Sequence, residues 1–243
     1  MNDKAGKRIV LRGQAPETAG GTLQRQDIEQ YTQERNAREP VPKSRGDRCY
    51  MYLLSPGYAG GRRAEMLLNP RSEFPLAQRL RTEGISLGEA FTFMSPLYFR
   101  GKLAYAAAFA KEHAEVPGSL VITPCRGLML PETIVRADEL KEICSEPIVA
   151  KNPKYRDPLE RDLRRLSEAV GHKLRAVLLG SIATKKYVPL LLEVLRERLL
   201  VPTEFVGLGN MRRGALMLRC SQQGCELSYV AAMQVLGEQK IGL

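Results

Sequence analysis

The sequence contains no run of about 18 apolar residues, so no membrane-spanning helix is expected. Its first residues, MNDKAGKRIVLRGQAPE, carry charges but no apolar h-region, which argues against secretion and makes the cytoplasm the expected compartment. Histidine is nearly missing, with two residues, and the five cysteines (Cys49, Cys125, Cys144, Cys220 and Cys225) are scattered. Only Cys220 and Cys225 lie close, and no second pair completes a tetrahedral set. No metal site is therefore expected, and the thiols read as free and mostly packed. A cysteine–histidine nucleophile at Cys125 has equally little to draw on. Carboxylates are scarce in the loops: Glu65, Glu89, Glu132 and Glu204 are the nearby candidates, and no close pair supports glycosidase-type or two-metal chemistry.

Phosphate fingerprints are missing too. GSIATKK lacks the second glycine before its lysine, and in GLGNMRRG Arg212 stands where the third glycine of a dinucleotide loop belongs. No cofactor is expected on these grounds. What the chain does have is positive charge: 37 basic against 27 acidic residues, a formal net charge of +10 and a pI near 9.5. That balance favours anionic partners such as nucleic acid or nucleotides. It is equally compatible with a basic protein that has no such partner. Oligomeric state is not readable.

Residues 1–47 are rich in Gln, Arg, Glu, Gly and Pro and predict a flexible polar arm, with a short helix near Asp27–Arg35. From residue 48 to 243 the pattern is that of one α/β domain. CYMYLLSP (49–56), SLVITP (119–124) and LRAVLLG (174–180) are apolar throughout and read as buried strands. Helices are expected at PLAQRLRTEG closed by Gly84, at SPLYFRGKLAYAAAFAKEHA capped by Ser95, at RADELKEICSE, at DPLERDLRRLSEAV capped by Asp157, and at VPLLLEVLRERLL. Gly101 inside the second of these costs about 1 kcal/mol of helix propensity and implies close approach by another backbone. GALMLRC and ELSYVAA flank SQQG and read as a C-terminal antiparallel hairpin. The expected architecture is α/β: a mostly parallel sheet with helices on both faces and that hairpin at its edge.

In such sheets ligands sit outside the carboxyl ends of the strands. Three loops leave those ends, SPGYAGGRRA (55–64), TPCRGLMLPE (123–132) and GSIATKKY (180–187), and FVGLGNMRRG (205–214) joins them. Candidate anion ligands are Arg62, Arg63, Arg126, Lys185 and Arg212, with hydroxyls from Ser181 and Thr184 and ring or hydroxyl contacts from Tyr187. Tyr98 and Tyr105 flank Lys102 on one helical stripe, which suits base stacking beside a phosphate contact. Each has a plainer reading. Ser181 and Thr184 cap a helix, Arg62 and Arg63 line an exposed first turn, the tyrosines pack on the sheet, and Lys102 snorkels.

The succession SPLYFRGKLAYAAAFA, LVITPCRGLMLPETIV and AVLLGSIATKKYVPLL resembles a bacterial domain family of uncharacterised function, over roughly residues 50–220. That family looks like a relative of the uracil-DNA-glycosylase-like α/β fold and of the peroxide-stress DNA-binding family. The resemblance implies roles for Tyr98, Gly127, Leu128, Pro131 and Tyr187. The chain departs from it after the first strand, where SPGYAGGRR replaces a cysteine-serine-lysine loop, and the water-activating loops of true uracil-DNA glycosylases are missing. The expected function is binding of nucleic acid or a nucleotide-like anion in a basic strand-end cleft, with nucleobase or N-glycosidic chemistry as its enzymatic form. An enzyme acting on a small phosphorylated metabolite and a non-catalytic interaction protein remain the alternatives.

Overall fold

Cys49–Leu54 forms β1, and all six of its residues are buried. In the computed structural model the described residues are 48–111 and 116–241, with side chains through 237. The arm over 1–47, with the helix near Asp27–Arg35, lies outside them. β1 is apolar on both sides because both sides are covered. Tyr50, Tyr52 and Leu54 enter one core cluster while Cys49, Met51 and Leu53 enter the other, the alternation that a pleated strand imposes.

The chain runs from β1 through α1 (Arg62–Leu68), α2 (Pro75–Thr82), β2 (Ile85–Ser86), α3 (Leu87–Met94) and α4 (Tyr98–Phe109) to β3 (Ser119–Ile122). β4 (Leu128–Met129), β5 (Ile134–Val135), α5 (Ala137–Ser145) and α6 (Pro153–Val170) lead to β6 (Leu174–Leu179). α7 (Val188–Leu195), β7 (Leu199–Pro202), α8 (Asn210–Gln223), β8 (Tyr229–Ala231) and α9 (Ala232–Ile241) complete it. The main sheet has the order β4-β3-β1-β6-β7-β8, and β2 and β5 pair separately. β3, β1, β6 and β7 are mutually parallel, and β4 and β8 join antiparallel at the two edges. The fold is therefore α/β with a mostly parallel sheet, helices on both faces and an antiparallel pair at its C-terminal end.

Helices α1–α5 and α8 supply residues to the core on the tyrosine face of β1, and α6, α7 and α9 to the other. From β1 the chain passes on one face to β3; from β6 it passes on the other to β7. Neighbouring strands β1 and β6 thus send their connections to opposite faces, and a crevice opens between their carboxyl ends.

Four local expectations need correction. GALMLRC is not a strand but the middle of α8. Its buried residues Arg213, Gly214, Leu216, Met217 and Cys220 recur at helical spacing, and Gly224 ends the helix in the left-handed region at φ 65°. The antiparallel partner of β8 is β7, LLVP, whose first two residues, Leu199 and Leu200, were read as the end of the preceding helix. Asp157 is not a cap: α6 begins at Pro153 with Asn152 accepting from the Lys154 N–H at 3.2 Å, and Pro158 sits inside it. Ser95 does not cap α4 through its side chain. Its hydroxyl accepts from the Tyr58 N–H at 3.2 Å, while its carbonyl accepts from Phe99.

The close approach expected at Gly101 is present. A Cβ there would stand 2.6 Å from the Gly214 carbonyl oxygen, and one at Gly214 would stand 2.8 Å from Leu97 O and Tyr98 Cα. α4 and α8 cross backbone to backbone. Alanine normally stabilises a helix interior by about 1 kcal/mol over glycine. Gly101→Ala is expected to do the reverse, lowering the unfolding free energy by about 1–3 kcal/mol through overpacking. Gly237→Ala in α9, where nothing lies within 4 Å, should not destabilise. Urea titrations of the two variants check the contrast.

Candidate functional site

β1 ends at Leu54, and Ser55 follows with its backbone N–H reaching Leu179 O of β6 at 3.4 Å. Gly180 and Ser181 leave β6 beside it. A Cβ on Gly180 would meet the Tyr187 hydroxyl at 2.8 Å and Ser55 Cβ at 3.0 Å, so only glycine leaves room for both. Tyr187 folds back over its own loop: its phenolic oxygen accepts from the Ser181 N–H at 2.9 Å. Thr184 accepts from the Lys186 N–H at 3.2 Å. The GSIATKKY loop is thus a self-closed turn.

These groups border a cleft of about 360 Å³, within the range of small-ligand sites. Ser55 to Gly60 come from the loop after β1, Pro124 from the loop after β3, and Ser181, Thr184, Lys186 and Tyr187 from the loop after β6. Tyr98, Phe91, Cys144 and Glu146 complete the walls with others. The three strand-end loops therefore do converge, at the β1–β6 switch point. A larger hollow of about 1000 Å³ borders Pro117–Ser119 at the amino end of β3. It contains no carboxyl end of the four parallel strands, so the strand-end cleft is the candidate site.

Beneath the cleft floor lies Lys102 of α4, with no exposed surface. Its Nζ is 2.8 Å from Ser55 O and 2.7 Å from Ser55 Oγ, and 3.9 Å from the centre of the Tyr98 ring. Among the described residues no carboxylate bonds it. Burial, with the Arg213 guanidinium as a second cause, pushes the amine well below the ordinary lysine range. Arg213 is buried on α8 and fixed by two N–H donations, Nε at 3.2 Å and Nη2 at 3.0 Å, to Phe205 O. The Tyr98 hydroxyl is buried without a hydrogen bond of ordinary geometry. Burial raises its pKa, while Arg213 and Ser55 draw it back. Tyr187, also buried, is pushed up to about 12, chiefly by burial.

Of the ten residues the sequence singled out, Tyr98, Ser181, Thr184 and Tyr187 line the cleft and Lys102 lies under it. Arg62, Arg63, Arg126, Lys185 and Arg212 do not line it. Arg62, Lys185 and Arg212 are exposed, and Arg63 turns to Phe93, its guanidinium 5.6 Å from that ring. Arg126 is held by Glu139 at 3.2 Å and Glu142 at 2.6 Å. The cleft wall is thus not basic in the way expected. Lys186 is its lining cation, and Glu146 its lining carboxylate, held by Lys154 at 2.8 Å.

Gly127, in the left-handed region at φ 64°, and Leu128, whose N–H donates to Asp162 at 3.0 Å, tie the loop after β3 to α6. Burial raises the Cys125 thiol and takes that of Cys144 up to about 11, so neither is a thiolate near neutral pH. Among the described residues no group of three or more His, Cys, Asp or Glu is placed to hold a metal ion. No helix among them is long and apolar enough to cross a membrane.

Sequence reasoning passed over Ser55 and Arg213. Ser55 was visible only as the first residue after an apolar run, read as a strand stop. Arg213 was one residue from the arginine chosen, and only the helical phase of α8 separates them.

No protein-family model, curated protein or solved structure matches the chain.

A neutral Lys102 has a thermodynamic signature. Its folded pKa lies below its unfolded one, so folding releases a proton over the window between them, and stability rises with pH there. The cost of burying the amine is absent above about pH 10.5, where both states are neutral, and grows as pH falls toward the folded pKa. Denaturation of the wild type and Lys102→Met between about pH 6 and 9 should show the wild type rising more steeply, by up to about 1.4 kcal/mol per pH unit. Parallel profiles would mean that the amine is charged when buried.

Proposed function

We propose that the strand-end cleft binds a small nucleobase- or nucleotide-like ligand. This is in keeping with the resemblance of the segments around Tyr98, Gly127 and Tyr187 to the bacterial domain family related to uracil-DNA-glycosylase-like folds. The observation that carries the reading is the convergence of three strand-end loops on one cleft of about 360 Å³ at the β1–β6 switch point, walled by Tyr98, Tyr187 and hydroxyls. Aromatic faces take a planar base, and Ser181 and Thr184 offer donors and acceptors for its edge or for a sugar.

The distribution of charge favours a small ligand over an extended strand. A protein that tracks a nucleic-acid backbone needs a row of free cations. Here Arg126 is committed to two glutamates, and Arg62, Arg63, Lys185 and Arg212 lie off the lining. A phosphate on the ligand would meet Lys186 and backbone N–H groups at the rim. N-glycosidic cleavage would need a group to activate water, and Glu146, paired with Lys154, is poorly suited to serve as that base.

Thermal unfolding in the presence of nucleobases, nucleosides, nucleoside monophosphates and sugar phosphates checks this. A ligand at about 100 times its dissociation constant adds about 2.7 kcal/mol of stability. A base-containing compound is expected to raise the midpoint, and Tyr98→Ala, folded by circular dichroism, to weaken its binding by about 1–3 kcal/mol. A response to sugar phosphates alone would favour the metabolite enzyme. Steep salt-dependent binding of DNA or RNA, with a log–log slope of magnitude well above about 1, would restore the nucleic-acid reading.

A further inference from the structure

We propose that Ser55 and Lys102 are a nucleophile and its base, and that the cleft hydrolyses an activated ester or amide through a covalent acyl-serine. The geometry carries this independently of which ligand the cleft prefers. Ser55 lines the cleft at the end of the central strand, with its Oγ 2.7 Å from Lys102 Nζ. Lys102 has no exposed surface, so its amine communicates with the cleft through that hydroxyl.

The physical question is why a lysine stands there. Burying an ammonium costs several kcal/mol, recovered only when a carboxylate and further hydrogen bonds surround it. Among the described residues no carboxylate acts on Lys102, and a second cation, Arg213, does. The Tyr98 ring at 3.9 Å offers an ammonium about 2 kcal/mol when desolvated, which does not offset a bare buried charge. A neutral amine fits the two contacts better. Nζ donates to Ser55 O at 2.8 Å and to Ser55 Oγ at 2.7 Å, while the Ser55 hydroxyl donates to Leu179 O at a long 3.4 Å. A turn of that hydroxyl toward a neutral Nζ lets the amine accept its proton. A desolvated lysine beside a second cation is a recognised way of making a base at neutral pH. A merely structural tie between α4 and β1 would be served equally by a charged amine.

Ser55 Oγ attacks the carbonyl carbon and its proton passes to Nζ. The Oγ–C bond forms, and the carbonyl electrons move onto oxygen. The Tyr98 O–H, buried and without a hydrogen bond of ordinary geometry among the described residues, supplies a donor for that oxyanion. Collapse expels the alkoxide or amine, which leaves with the proton from Nζ. Water then repeats the sequence, with Nζ taking its proton, and the Oγ–C bond breaks to release the acid. Water is the only co-reactant.

The test uses the full chain and p-nitrophenyl acetate. The expected result is a burst of one nitrophenolate per chain, with the acetyl group mapped by mass spectrometry to Ser55. Ser55→Ala should show no burst. Lys102→Met, folded by circular dichroism, should acylate at least about 100-fold more slowly. The wild-type rate should be level between about pH 8 and 10, because the base is already neutral, whereas an ordinary lysine would keep the rate climbing toward about 10.5. Side-chain ¹⁵N NMR of Lys102 reads the same point without any probe entering the cleft, and a neutral amine is expected at about pH 8. A charged amine at that pH overturns the proposal. So does the absence of a burst from folded protein, acetylation elsewhere, or a Ser55 rate unchanged in Lys102→Met. None of these outcomes depends on whether the cleft takes a nucleobase.

Discussion

An amine enclosed at the end of the central strand, with no carboxylate among the described residues to neutralise it, constrains everything packed around it. Lys102 can reach Ser55 only if α4 lies close over the end of β1, and the same stretch of α4 carries the glycine that lets α8 in. Gly101 and Lys102 are neighbours, as are Arg213 and Gly214. The backbone contact between the two glycines therefore also fixes Arg213 near enough to act electrostatically on the lysine. Arg213 cannot swing away without giving up both bonds to Phe205 O. Desolvation and a neighbouring cation both disfavour the ammonium, and a single helix crossing produces both.

The sheet supplies the other half of the site. β1 and β6 send their connections to opposite faces, so nothing closes over their carboxyl ends, and the crevice there has to be finished by loops. Small residues do the finishing. Gly180 admits the Tyr187 hydroxyl next to Ser55, and Gly57 lies against the Phe91 ring, where a Cβ would come within 3.1 Å. Tyr187 then closes its own loop through the Ser181 N–H at 2.9 Å. This explains why GSIATKKY needs no second phosphate-loop glycine. Its backbone is organised by a tyrosine belonging to the same turn.

What the sequence made legible follows from where side-chain identity alone decides an outcome. Three apolar runs become β1, β3 and β6, because strands buried on both faces have no polar positions to disguise them. Gly101 announced a close approach, since no other role justifies glycine in an alanine-rich helix. Elsewhere the outcome depends on tertiary phase. LLVP is too short to be separated from the helix before it, and GALMLRC alternates well enough to pass for a strand until α8 packs its helical face on α4. Arg212 versus Arg213 and Lys185 versus Lys186 are each a matter of one residue's rotation about the chain, which only the packed structure fixes. Lys102 was expected either to carry charge to a ligand or to snorkel; it does not snorkel, and it is buried under the cleft where charge is disfavoured.

The same comparison changes what the net charge of +10 means. Several arginines are matched on the surface by acid: Arg79 with Glu83 and Glu89, Arg126 with Glu139 and Glu142, Arg156 with Glu160 and Glu193. Pairs so exposed contribute about 0–1 kcal/mol each and are weakened by salt, so they shape solubility more than recognition. A strand-tracking protein would leave such side chains free and facing one groove. Here the cleft wall carries hydroxyls and aromatic rings, with the least solvated nitrogen of the site directly beneath its serine. Long-range attraction is the weaker part of this design. Its stronger part is local: a hydroxyl, a buried amine nitrogen 2.7 Å away, and a buried phenol beside them.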